Sequence, residues 1–228
     1  MNFTKLLKIR RILFNGYGYV SAGLICFIHF IPNAYVLPSI TLIILANILV
    51  LFTQIVVTNM KRNIKDIAIS LFGVCYIVFF IMFAPLIRDS MENGKILIWY
   101  VFFAAWGTDT LAYLIGKNFG KHKFTEVSPK KTVEGCLGGI VGSILFCLIY
   151  TVICNNFWNL EISYTYILGI SIFLSVISQI GDLAASSVKR YCEIKDYSNL
   201  IPGHGGILDR IDSVIFILPF AYFLLSIL

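Results

Sequence analysis

The chain has 228 residues, 58% of them hydrophobic, 15% aromatic and only 13% charged, with a formal net charge of +6. That balance excludes an ordinary soluble domain. The positive excess does not indicate nucleic-acid binding, because it sits in short segments between long apolar runs, where it reads as a signal of membrane topology.

A membrane-spanning helix needs about 20 apolar residues. Seven such segments follow one another, at roughly 12–31, 37–58, 67–87, 96–115, 137–157, 164–185 and 207–228. The fold class expected is therefore all-α, a polytopic integral membrane bundle of about seven transmembrane helices. The first segment is too long for the core of a cleavable signal, and no small-residue cleavage site follows it. Lys5, Lys8, Arg10 and Arg11 precede the first span, and Lys61, Arg62 and Lys65 follow the second. Lys117, Lys121, Lys123, Lys130 and Lys131 follow the fourth, and Lys189, Arg190, Lys195 and Arg210 surround the connection from sixth to seventh. Seven spans place all of these on one side and leave only Arg88 and Lys95 on the other. The positive-inside rule then makes the N-terminus cytoplasmic.

Residues 1–95 contain no motif and are read as transmembrane helices for lipid contact, with a candidate homodimer surface. Residues 96–228 are read as the catalytic membrane region. In the fourth span Asp109, Tyr113 and Lys117 recur every four residues, along one helix face. Ser128-Pro129-Lys130-Lys131-Thr132 then offers hydroxyls and paired ammonium groups beside a turn, suited to phosphate. Gly135, Gly138, Gly139 and Gly142 form two overlapping G-x-x-x-G steps at the start of the fifth span, a pattern for close helix packing. The cysteines include no C-x-x-C pair, so neither a zinc site nor a disulfide framework is indicated.

The sixth span brings Gln179, Asp182, Ser186 and Lys189 onto one face. Asp182 is expensive against lipid, at about 3 kcal/mol near a helix centre, so it is expected to point inward and meet a cation. The polar stretch from Ser186 to Asp212 carries the densest chemistry. Asp196, Asp209 and Asp212 suit a hard divalent cation such as magnesium. Lys189, Arg190, Lys195 and Arg210 suit phosphate oxygens, and Gly205 and Gly206, beside His204, let backbone N–H groups approach an anion. No Walker A sequence or strand-bound G-x-G-x-x-G is present.

Read from Ser186 to Asp212, the pattern Ser-x-Val-Lys-Arg-x4-Lys-Asp-x-Ser-x2-Ile-Pro-x-His-Gly-Gly-Ile-x-Asp-Arg-Ile-Asp resembles the signature of the phosphatidate cytidylyltransferases. Asp109-Thr110-Leu111-Ala112-Tyr113 and Ser128 to Gly135 also look like this family, so the resemblance covers about 96–228. It implies an enzyme that transfers CMP from CTP to phosphatidate, giving CDP-diacylglycerol and pyrophosphate. It would work at the lipid bilayer of a bacterial plasma membrane, with the site facing the cytoplasm and no nucleic-acid partner. On this reading Asp196, Asp209 and Asp212 hold magnesium, with Asp182 as a candidate fourth ligand. Lys189, Arg190, Lys195 and Arg210 take phosphates, and Ser186 belongs to the same catalytic run. His204 supplies a hydrogen bond or a leaving-group proton. Asp109, Tyr113, Ser128, Lys130, Lys131, Gly205 and Gly206 line the substrate pocket. Two alternatives stay open. One is another CTP-using lipid enzyme, a polyprenol- or phytol-type kinase or an archaeol-type cytidylyltransferase. The other is a transporter or channel, against which the crowding of motif charges on one face argues.

Overall fold

The computed structural model describes residues 33–57, 68, 71–126, 128–197 and 206–228, which fall into two compact units, Met1–Ser90 and Met91–Leu228. The first expected span, 12–31, lies outside the described residues. The described elements are helical, and the one extended pairing among them is a single antiparallel bridge between Lys123 and Thr132. The all-α expectation is met.

In the first unit the expected 37–58 span is helix α1, Asn33–Val57. Its Asn47 amide donates to the Ile43 carbonyl at 2.7 Å, which satisfies a polar group on an otherwise apolar helix. The segment expected as one span over 67–87 is interrupted. A π-helical turn, Val74–Phe79, gives way to α2, Phe83–Ser90. Pro85 explains part of this, since it has no N–H for the Ile81 carbonyl; it lies in the first turn of α2, where that donor is not needed. Ile40 and Met82 are buried together here, with Ile43, Ile44, Phe79 and Leu86 packed around them.

In the second unit a short turn, α3 (Gly94–Leu97), leads into α4 (Trp99–Phe119), followed by α5 (Val133–Trp158), α6 (Tyr164–Tyr191) and α7 (Leu208–Leu225). Three stretches among the described residues are long and apolar enough to cross a membrane: Gly94–Phe119, Val133–Trp158 and Tyr164–Tyr191. Helix α7 is apolar beyond its first turns but opens on Asp209, Arg210 and Asp212.

Glycine lets α4 and α5 approach at backbone distance. A Cβ on Gly107 would lie 2.6 Å from the Gly142 carbonyl oxygen, and one on Gly142 would collide with the Gly107 carbonyl. Gly135 and Gly139 face Ala112 and Thr108 in the same way, so the G-x-x-x-G steps are helix contacts, as their spacing implied. Buried hydroxyls bind the helices across the apolar interior. Thr108 Oγ1 lies 2.8 Å from Ser175 Oγ, Ser143 donates to the Ser171 carbonyl at 2.9 Å, and the Tyr100 and Thr151 hydroxyls meet at 2.9 Å. Away from the charged loops, Asn155 closes the α5–α6 connection: it donates to the Ile162 carbonyl at 2.9 Å and accepts from the Ile162 N–H at 2.8 Å.

Candidate active site

Asp109 from the middle of α4, the α4–α5 loop, the C-terminal part of α6 and the first turns of α7 supply the site. That loop is shaped by capping. Thr132 is the N-cap of α5, its hydroxyl accepting from the Gly135 N–H at 3.1 Å. Ser128 to Lys131 forms a turn closed by the Lys131 N–H on the Ser128 carbonyl at 3.0 Å. Pro129 in its second position pre-sets the backbone angle such a turn needs. Glu134, on the first turn of α5, accepts from the backbone N–H groups of Lys121 and His122 at 3.1 and 3.3 Å and meets His122 Nδ1 at 2.6 Å. These contacts anchor both ends of the loop to α5.

So held, the loop presents Lys131 to Asp182 of α6, and the two form an ion pair. The inward-pointing aspartate expected in the sixth span has found its cation, one supplied by the preceding loop. Asp182 is also close enough to act electrostatically on both Asp109 of α4 and Asp212 of α7. Asp109 accepts a 3.4 Å hydrogen bond from the Ser213 hydroxyl. The structure therefore gathers Asp109, Lys131, Asp182 and Asp212 from four separate segments.

Lys189 forms the second half of the site. Its ammonium lies 3.0 Å from Asp209 Oδ1 and 3.5 Å from Asp212 Oδ2. The three side chains are only 11%, 6% and 9% exposed, so this is a buried cation between two buried carboxylates. Asp209 is the most heavily bonded of the acids. Its Oδ2 accepts from the backbone N–H of Tyr197 and of Gly206, both at 2.9 Å, while Oδ1 faces Lys189. Three donors, one of them charged, each contribute roughly 1.5–3 kcal/mol to holding such a carboxylate ionised and still. Asp212 Oδ1 accepts from the Ser213 N–H at 2.9 Å. Tyr197 lies between α6 and α7, and burial, followed by the nearby Asp212 and Asp209 charges, pushes its phenol pKa upward, so it stays a neutral donor.

The other expected residues are placed less centrally. Ser186 is half-buried on the Asp182–Lys189 face of α6. Arg190 is exposed and donates to the Ile194 carbonyl at 3.4 Å. Lys195 and Asp196 are exposed on the turn after α6. Arg210 and Lys130 are exposed, and Ser128 is half-buried in the loop turn. Tyr113 is exposed with the Lys117 ammonium 5.7 Å from its ring centre. Gly206 contributes its N–H to a protein carboxylate, Asp209. His204 and Gly205 lie outside the described residues. Three contributors were absent from the expected set: Ser213, Tyr197 and Glu134. The first was legible as a hydroxyl beside a motif aspartate. The other two act through backbone contacts that spacing does not reveal.

Among the described residues no three acidic, histidine or cysteine side chains stand together as a ready metal cage. The donor chemistry nonetheless fits a hard cation. The converging acids are all carboxylates, and the gap between Asp209 and Asp212 already stabilises a positive charge, there the Lys189 ammonium.

The described residues form an all-α protein with long apolar helices, in which lysines and carboxylates pair where α6 and α7 meet the α4–α5 loop. Residues 2–228 match the Cytidylyltransferase family, and the chain belongs to it. It is 40% identical over 180 residues to a phosphatidate cytidylyltransferase of Bacillus subtilis (strain 168), a match spanning 78% of this chain and 65% of that protein. It is 38% identical over 216 residues to one of Staphylococcus aureus (strain COL), spanning 91% and 78%. A third, from Staphylococcus haemolyticus (strain JCSC1435), is 38% identical over 177 residues, 77% of this chain and 65% of the other. The resemblance carried by the 186–212 signature is thus borne out over nearly the whole chain.

Proposed function

We propose that the chain is a phosphatidate cytidylyltransferase: CTP and phosphatidate give CDP-diacylglycerol and pyrophosphate. The observation that carries this reading is the convergence of Asp109, Lys131, Asp182, Lys189, Asp209 and Asp212 from α4, its following loop, α6 and α7.

The reaction asks for little proton chemistry. Its nucleophile is a phosphomonoester oxygen, already anionic near neutral pH, so no strong general base is needed. The barrier lies in bringing two polyanions together in line and stabilising the departing pyrophosphate. Lys189 and Lys131 are cations inside the site, and each is held by carboxylates rather than left to solvent. Arriving phosphates compete with those carboxylates for both ammonium groups. Arg190, Lys195, Lys130 and Arg210 are exposed and add positive charge for arriving phosphates, and Tyr113 and Lys117 follow Asp109 along α4. His204, with Gly205, remains a candidate for hydrogen bonding to the leaving group. The apolar helices let the diacyl tails stay in lipid while the headgroup enters.

Magnesium belongs to the same proposal. Asp209 and Asp212, with Asp196 from the loop and Asp182 as a fourth candidate, are the residues that would hold it. When bound, it would screen the triphosphate and the charge that develops on the leaving group. The orientation proposed has this face in the cytoplasm, supported by the distribution of Lys and Arg along the chain. A homodimer through the N-terminal spans belongs to the proposal only as an expectation of the sequence.

The test uses purified protein with CTP, magnesium and phosphatidate in mixed micelles, scored for pyrophosphate and for CDP-diacylglycerol. Both products should appear in equal amounts. Nucleoside diphosphate appearing in place of pyrophosphate would identify a lipid kinase and overturn the assignment.

A further inference from the structure

The segment after α6 folds back on its own helix. The Cys192 N–H donates to the Val188 carbonyl at 3.0 Å, Glu193 N–H to Arg190 at 2.9 Å and Ile194 N–H to Lys189 at 2.9 Å. Glu193 takes a left-handed conformation, φ 56°, to make the reversal. The reversal delivers Tyr197 beside Lys189, where it is fixed at three points. Its backbone N–H donates to Asp209 Oδ2 at 2.9 Å, its hydroxyl donates to the Ala185 carbonyl at 3.3 Å, and its ring centre lies 5.3 Å from Lys189 Nζ. Ala185 precedes Lys189 by one helical turn. The tyrosine is therefore stretched from α7 to α6 across the lysine that both helices share.

A lysine side chain has four rotatable bonds and a compact, strongly hydrated charge, so nothing intrinsic keeps it at one place. The two carboxylates that hold it are also the groups a bound cation would compete for. An aromatic face attracts an ammonium without being a carboxylate or a phosphate, and partial desolvation strengthens that attraction.

We propose that Tyr197 is a positioning residue: its ring keeps the Lys189 ammonium in place beside the Asp209–Asp212 pair throughout the reaction. The inference rests on the reading of Lys189 as a phosphate-binding group. On this proposal Tyr197 acts through Lys189.

The experiment compares Tyr197→Phe, which keeps the ring and loses the Ala185 hydrogen bond, with Tyr197→Leu, which keeps apolar bulk and loses the π face. With CTP, phosphatidate and magnesium, Phe should stay within about threefold of the parent while Leu loses about 30-fold in kcat, with KM for CTP changed far less. The double variant Tyr197→Leu/Lys189→Gln should be no slower than Lys189→Gln alone, because a residue acting through Lys189 has nothing left to act on. Equal activity of Phe and Leu, or losses that multiply in the double variant, would overturn the proposal. A second arm does not depend on turnover. Lys189 acetylation by an amine-reactive acetylating reagent is followed by peptide mass spectrometry against Lys131 as internal reference. The Lys189 rate relative to Lys131 should rise about threefold or more in Leu and remain near the parent value in Phe. An unchanged ratio in Leu sinks the positioning role. Should the parent protein make no CDP-diacylglycerol, the assignment of function fails, and the labelling ratio still decides the role of Tyr197. If Leu does not fold, Tyr197→Met carries the same expectations.

Discussion

Lys131 and Asp182 form an ion pair that ties the α4–α5 loop to the side of α6, and the Asp182 charge also acts on Asp109 and Asp212. The pair is partly screened, its side chains being 24% and 29% exposed. It therefore joins the Ser128–Gly135 stretch to the helix that leads into the 186–212 signature, segments far apart in the chain.

That pair can be separated into structure and chemistry. Removing Asp182 alone leaves Lys131 without its carboxylate, and a lone half-buried charge is costly. Replacing both, as Lys131→Met with Asp182→Met, removes the charge problem and should restore most of the thermal stability lost in Asp182→Asn. Turnover is expected to remain at least about 100-fold down, roughly 2.7 kcal/mol in the transition state. Recovery of CDP-diacylglycerol synthesis together with melting temperature would reduce the pair to a structural tie.

Asp209 and Asp212 are expected to differ in kind. An asparagine at 209 offers one acceptor oxygen and turns an NH2 group toward donors now held by Oδ1 and Oδ2. Asp209→Asn should therefore destabilise the fold by about 3–5 kcal/mol as well as abolish turnover. Asp212→Asn keeps an acceptor for the Ser213 N–H, so it should melt close to the parent while pyrophosphate release is lost. Asp89→Asn, beside Arg88 in the other unit, should be nearly neutral by both measures. A fully active Asp212→Asn protein would leave that carboxylate no part in the reaction.

For the lysines the contrast is between a buried cation and a merely basic surface. Lys189→Gln should lower kcat at least about 100-fold while CTP affinity falls much less. Lys121→Gln, on an exposed loop residue, should leave kinetics unchanged. Equal, salt-sensitive losses at both positions would mean that Lys189 serves only general attraction of anions.

Packing offers a prediction independent of chemistry. Gly142→Ala places a methyl against the Gly107 carbonyl, so α4 and α5 must part; overpacking of this kind costs about 1–3 kcal/mol. Gly169→Ala meets nothing within 4 Å and should be neutral, or stabilising by about 0.5–1 kcal/mol through helix propensity. Melting curves of the two variants in detergent decide this, and identical behaviour would contradict the close α4–α5 contact.

Topology can be checked with single cysteines. Lys121 and Tyr197 lie in the loops that build the site, whereas Asn156 is near the opposite end of α5. Labels at 121 and 197 should react from the same side, the cytoplasmic one, and a label at 156 from the other. Reaction of 121 and 197 from opposite sides would separate Lys131 from Asp182 and end the single-site reading.

Much of this protein was open to inspection of the chain alone. Apolar runs of about 20 residues specify helices because, in lipid, a backbone must satisfy its own hydrogen bonds, and the residues of the 186–212 signature name the chemistry by their donor and acceptor types. G-x-x-x-G foretold the α4–α5 contact because a missing side chain is itself a local property. The interruption before α2 was signalled in principle by Pro85 in its first turn and was overridden by the length of the apolar run. Partnership was a different matter. Asp182 with Lys131, Asp109 with Ser213, and Lys189 between Asp209 and Asp212 are contacts between segments distant in sequence, set by which helix ends pack side by side. Tyr197 and Glu134 entered through their geometry toward backbone N–H and carbonyl groups, which any sequence possesses and no spacing marks. Residue types could therefore disclose which charges the site holds. Only the packing of α4, α6 and α7 decided which of those charges neutralise one another and which lysine stands among the acids.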